Sequence, residues 1–220
     1  MKQHRQDMQK STNEPLSSLT HLIGLLLSVA GLVLLIVFAA IHRNALGLVA
    51  FSIFGMSLIL LYLFSSIYHF IPSLSRAKEV FRRIDQSMVF ILIAGTYTAV
   101  CLTVLRGWWR WSLLGAIWAF AIVGVSLASA MRMRTWLSTP IYLTMGWLGV
   151  IAIFPLTHIL SPKGMWWLVA GGVFYTIGAA FYGLDSFVPR TRWFGMHEVF
   201  HVFVIAGSFS HFWLMLNYVL

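Results

Sequence analysis

Apolar residues fall along this chain in seven blocks, at about 16–41, 46–71, 86–105, 111–131, 136–160, 164–184 and 195–219, with most charges in the short gaps between them. A helix rises about 1.5 Å per residue, so about 20 apolar residues cross the roughly 30 Å of a bilayer's hydrocarbon. Each block is long enough and predicts one membrane-spanning helix. The last is the least obvious, because His197, Glu198 and His201 interrupt its first turns. The expected fold class is an all-α membrane protein, a seven-transmembrane-helix bundle. Residues 1–13 form a polar tail and 14–220 a single membrane domain.

Composition supports this reading. Of 220 residues, 60% are hydrophobic and 10% charged, whereas a soluble domain carries about 45–50% apolar and about 25% charged residues. A water-soluble globule is excluded. The run Leu22 to Ile41 is longer than the roughly 7–15 residues of a signal-peptide core, so it is expected to stay in the protein as a span. Cys101 is the sole cysteine, which excludes an intrachain disulfide and a thiolate cluster.

The 15 Lys and Arg against 6 Asp and Glu give a net charge of +9. In a soluble protein that excess would suggest nucleic acid as a partner. Here the basic residues sit in the gaps, where orientation and anionic lipid headgroups account for them. Taken gap by gap, eleven lie on the N-terminal side of the membrane and four on the other. The positive-inside rule then predicts a cytoplasmic N-terminus and an external C-terminus in a multi-pass protein of the cell membrane. Trp108, Trp109, Trp111, Trp166 and Trp167 are expected at the outer interface, where indole favours the headgroup level. The pairs Gly24/Ser28, Gly115/Ala119 and Gly124/Ala128 are expected to let helices approach closely.

Ionisable residues inside spans are costly and need a partner, a cavity or an interfacial position. Glu14 and His21 open the first span, Ser65 and His69 close the second, Asp85 opens the third, and His197, Glu198 and His201 open the seventh. In a seven-span chain all of these converge on one leaflet. Ser65 and His69, and likewise His197 and His201, stand four residues apart and so share a helix face; Glu14, Ser17 and His21 form a further stripe. Taken singly, each histidine reads as a hydrogen-bonded interfacial side chain. Taken together, His69, His197 and His201 also suit a tetrahedral zinc site with water in its fourth position. Spacing alone leaves both readings open. His211 lies about 15 Å beyond His201 along the helix, too far for the same ion. Asp185 reads most simply as pairing with Arg190 or Arg192.

Four segments together carry a resemblance. They are Glu14-Pro-Leu-Ser17-Ser-Leu-Thr-His21, Ser65-Ser-Ile-Tyr-His69, the run from Arg83-Ile-Asp85-Gln-Ser-Met to Ala94-Gly-Thr-Tyr97-Thr98, and His197-Glu-Val-Phe-His201 with Gly207-Ser and His211-Phe. In this order they resemble the bacterial hemolysin III family, kin to the progestin and adipoQ receptors and more distantly to alkaline ceramidases. The resemblance implies a zinc ion near the cytoplasmic face, held by His69, His197 and His201, with Ser65 and Asp85 beside it. It also implies hydrolysis of lipid amides. Gln86, where many bacterial relatives carry His, and Ser17, where Asn is frequent, depart from the pattern without touching the ligand set.

On that footing the expected activity is zinc-dependent hydrolysis of a long-chain lipid amide or ester, serving membrane lipid homeostasis. Asp85 would act on the attacking water and Ser65 on the oxyanion. Membrane lipids are the expected partners. The alternative is a lipid-state sensor in which zinc merely ties helices together. A third reading takes His197–His201 as a zincin HExxH string with Glu198 as base, as in an intramembrane metalloprotease. Two other seven-helix functions fit poorly: no lysine follows Lys163 to carry retinal, and no polar stripe runs through whole spans as a pore requires.

Overall fold

The computed structural model describes residues 14–42, 44–72, 75–131, 133–185, 187–188 and 195–219. The expected polar tail over 1–13, and Arg190 and Arg192, lie outside these. Seven helices are long and apolar enough to cross a membrane: α1 Pro15–Ile41, α2 Ala45–Phe70, α3 Arg76–Thr103, α4 Gly107–Ala130, α5 Thr135–Ile159, α6 Pro162–Leu184 and α7 Met196–Val219. No strand occurs among the described residues. Successive helices α1 to α4 pack side by side, α6 packs on α7, and α1 closes against α7. The chain is a seven-helix integral membrane bundle. Its outward face is a lipid-compatible surface of exposed Leu, Ile, Val and Phe.

The third apolar block is the inner part of a longer helix. α3 starts at Arg76, capped by the Ser75 hydroxyl, which accepts from the Ala77 amide at 3.2 Å. Its charged first turns are held by pairing rather than by apolar burial. Glu79 accepts from Arg82 at 2.8 and 3.0 Å, and Arg82 also donates to the Gln86 side chain at 3.0 Å and the Met133 carbonyl at 3.2 Å. Gln86 itself donates to Met133 at 3.2 Å. The departure at Gln86 therefore serves to fasten α3 to the connection before α5.

α5 is not one continuous α-helix. Pro140 and Pro155 lie within it, and residues Leu148–Ala152 form a 3₁₀ segment. Pro155 has no amide hydrogen and its ring clashes with the carbonyl four residues back, which breaks the ladder there. Tyr97 of α3 repairs the break. Its hydroxyl donates to the Gly146 carbonyl at 2.7 Å and accepts from the Gly149 amide at 2.6 Å.

The expected close approaches are only partly realised. Gly24 packs on the Tyr62 ring and Gly124 on Phe90, whereas Gly115 is exposed with nothing against it. Gly115 and Ala119 face outward, so this pair is lipid-facing surface and not a packing seam. Trp108, Trp111 and Trp166 are exposed at the helix starts of α4 and α6, the bundle end opposite the histidines.

Candidate metal centre

Three helix ends build the site. Ser65 and His69 lie one turn apart at the end of α2, His197 and His201 one turn apart at the start of α7, and α1 runs beside both. His69, His197 and His201 converge. Each offers one ring nitrogen, and the three nitrogens lie within 4.8 Å of one another. His69 Nε2 and His197 Nε2 are 3.2 Å apart. Two nitrogens held about 2.0–2.1 Å from one tetrahedral ion are separated by about 3.3 Å, so the gap suits a shared cation.

The surrounding hydrogen bonds also fit. His69 Nδ1 donates to Glu14 Oε2 at 2.6 Å, leaving the Nε2 lone pair aimed at the cluster. Thr20 gives its own proton to the Ser17 carbonyl at 2.9 Å, so its oxygen accepts from His201 Nδ1 at 3.2 Å. His201 Nε2 is thereby left with a lone pair. An outer partner that fixes the ring tautomer is the usual companion of a metal-binding histidine. The residues present can therefore hold a metal ion.

Spacing put Glu14 at this leaflet without saying what it would meet, and did not single out Thr20. The Glu14/Ser17/His21 stripe was the available signal, and α1 divides it among different tasks. Ser17 Oγ donates to Glu198 Oε1 at 2.5 Å, and Glu198 Oε2 accepts from the Gly195 amide at 2.7 Å. Glu198 is buried, one of its oxygens tying α7 to α1 and the other capping the start of α7 itself. That geometry weakens the HExxH reading, in which this carboxylate must face the ion. His21 stacks on His201 with ring centroids 3.6 Å apart, and neither of its nitrogens has a hydrogen-bond partner among the described residues. Asp185 turns inward and accepts from the His197 amide at 3.0 Å, capping α7. Its expected arginine partners lie outside the described residues.

Across from the histidines, the half-buried Asp85 adjoins the Ser65 hydroxyl, with the His69 ring and the charged Lys78 and Arg82 around it. Lys78 lies over the Tyr68 ring at 4.1 Å, donates to the Tyr68 carbonyl at 2.7 Å and stands 3.8 Å from Glu14. Ser65, Asp85 and the three histidines all line one cavity of about 780 Å³ that runs on between α3, α5, α6 and α7. Beyond the cluster its wall is largely apolar, formed by Leu61, Leu92, Ile93, Leu168 and Val204 among others. The size falls in the usual range for a small-molecule site, about 300–1,000 Å³.

Known proteins share this chain's pattern over nearly its whole length. The family model described as Haemolysin-III related matches residues 9–212. Hemolysin-3 of Bacillus cereus is 40% identical over 206 residues, covering 93% of this chain and 90% of that protein. The Hemolysin-3 homolog of Bacillus subtilis (strain 168) is 40% identical over 203 residues, covering 92% of each. The monocyte to macrophage differentiation factor of Homo sapiens is 24% identical over 175 residues, covering 76% of this chain and 68% of that protein. With its seven spanning helices and the convergent histidines, the chain belongs to the haemolysin-III related family of multi-pass integral membrane proteins.

Proposed function

We propose that this protein is a zinc-dependent hydrolase of long-chain lipid amides or esters, acting at the cytoplasmic face of the cell membrane. The observation that carries the reading is the meeting of Ser65, Asp85 and three histidines on the wall of a long, mostly apolar cavity. An all-imidazole donor set without thiols suits zinc. A bound zinc supplies Lewis acidity, polarising a carbonyl and acidifying water near neutral pH.

The chain's own residues do the rest. The apolar cavity wall holds the substrate's chain and keeps bulk water from it. The Ser65 hydroxyl, which adjoins Asp85, turns to donate its one proton to the substrate carbonyl oxygen as charge develops there. Asp85 takes a proton from the attacking water and returns it to the leaving nitrogen or oxygen, so that one C–O bond forms as the C–N or ester C–O bond breaks. Glu14 and Thr20 hold the imidazoles in the orientation a metal needs.

A second reading takes the ion as a staple between α2 and α7 in a lipid-state sensor. The Glu14 and Thr20 contacts serve that role equally well, and Asp85 is what separates the two. The test is turnover of a lipid extract by purified protein, repeated after chelation and after zinc is restored. Release of fatty acid that stops with chelation and returns with zinc supports the hydrolase. Absence of turnover across amides and esters, with zinc bound, supports the sensor.

A further inference from the structure

The cavity ends on a second polar group. Ten residues beyond His201, about 15 Å along α7, the buried His211 lines the same cavity. Its Nδ1 has no hydrogen-bond partner among the described residues. Val100, Leu113, Leu156 and Met165, from four other helices, make the wall at this end mostly apolar, with Tyr175 beside the ring.

The imidazole is seated by design of the backbone around it. A methyl at Gly171 of α6 would stand 2.6 Å from His211 Nε2, so only glycine leaves the ring its room. Tyr175 stacks beside it with centroids 5.6 Å apart, and a methyl at Gly207 would come 2.8 Å from the Tyr175 ring. The nearby hydroxyls satisfy one another: Tyr62 donates to Ser208 at 2.8 Å, and Tyr175 pairs with Ser208 at 3.0 Å. Within this described group, Tyr62, Tyr175, Ser208 and His211, the imidazole is left with unmet capacity. Nδ1 is enclosed, so the nitrogen by which this cavity-lining ring can pair with a ligand is Nε2, with Nδ1 left as the acceptor atom of the neutral imidazole. An enclosed water needs two to four polar partners, more than one unpaired imidazole supplies.

We propose that His211 is a distal recognition site for an uncharged oxygen function carried on the substrate's chain, about 15 Å from the bond to be cleaved. The favoured class is then a hydroxylated long-chain lipid, recognised at both ends of the cavity, rather than a plain hydrocarbon chain. This rests on the reading that the cavity takes a lipid chain.

The experiment measures binding, not turnover. The affinities of lauramide and ω-hydroxylauramide are compared, for protein in lipid nanodiscs, by competition against a fluorescent fatty amide. Wild type is expected to prefer the hydroxylated probe about tenfold, as a buried hydrogen bond permits. His211→Leu is expected to abolish the preference, and His211→Gln, which keeps hydrogen-bonding capacity, to retain part of it. If His211→Leu fails to fold, Gly171→Ala displaces the ring from its seat and is expected to remove the preference as well. Equal affinity of the two probes for wild type, or a preference that survives in the Leu or Ala variant, overturns the inference while leaving the lipid cavity intact. Binding of neither probe overturns the lipid reading and this inference with it.

Discussion

Glu14 and His69 are joined twice: the imidazole Nδ1 donates to the carboxylate at 2.6 Å, and the Glu14 amide donates to the His69 carbonyl at 3.1 Å. The start of α1 is thereby fixed to the end of α2 at the residue whose other nitrogen faces His197. Removing the charge while keeping the shape tests what the contact does. Glu14→Gln is expected to leave the bundle folded and to weaken metal affinity by about 10- to 100-fold, the range for lost outer partners of metal ligands. Titration with a chelator of known affinity measures it, and an unchanged affinity would reduce Glu14 to a helix tether.

Glu198 makes the opposite prediction. Its two oxygens are committed to Ser17 and the Gly195 amide, and it is buried. Glu198→Gln can keep its oxygen on the Gly195 amide only by turning its NH2 to the Ser17 hydroxyl, and it exchanges two charge-assisted bonds for neutral ones, so stability should fall by about 1–3 kcal/mol. Turnover per folded, metal-loaded molecule should persist. A collapse of turnover with stability and metal content intact would restore the HExxH mechanism.

Tyr97 offers a test away from the metal. Its hydroxyl serves both the Gly146 carbonyl and the Gly149 amide across the break in α5. Tyr97→Phe leaves both groups unpaired and is expected to cost about 1–3 kcal/mol. Hydrogen exchange should accelerate at residues 148–152, next to the cavity wall. Unchanged exchange there would mean that the break is stable without its tyrosine.

Much of this was legible in the sequence because the bilayer enforces it. Apolar length alone marks seven spans, and helical spacing puts His197 and His201 on one face and Ser65 and His69 on another, at ends that share a leaflet. The start of α3 was not legible, because its first turns carry Lys78, Glu79, Arg82 and Arg83, held by ion pairs where hydropathy reads a loop. The break in α5 depends on a tyrosine from another helix, and Glu14 reaches His69 across 55 positions of chain. Gly115 looked like Gly24 by spacing, yet only Gly24 meets a partner. Which side of a helix faces lipid is decided by the neighbours it packs against, and one helix's pattern does not contain them.

The excess of Lys and Arg in alternate gaps predicts that the N-terminus and the histidine cluster face the cytoplasm. Reporter fusions at both ends check this. A C-terminal reporter active only in the cytoplasm would reverse the orientation and put the cluster at the outer leaflet.

The most direct test of the central claim is turnover of a long-chain lipid amide by wild type and Asp85→Asn, with zinc measured on the same samples. Asp85 lies beside Ser65 on the cavity wall and is not among the three converging ring nitrogens. The predicted result is one zinc per chain in both proteins and a rate lower by about 10²- to 10⁴-fold in Asp85→Asn, the span for a lost general base. Equal rates would contradict the mechanism, and loss of zinc in Asp85→Asn would move that residue from proton transfer to coordination.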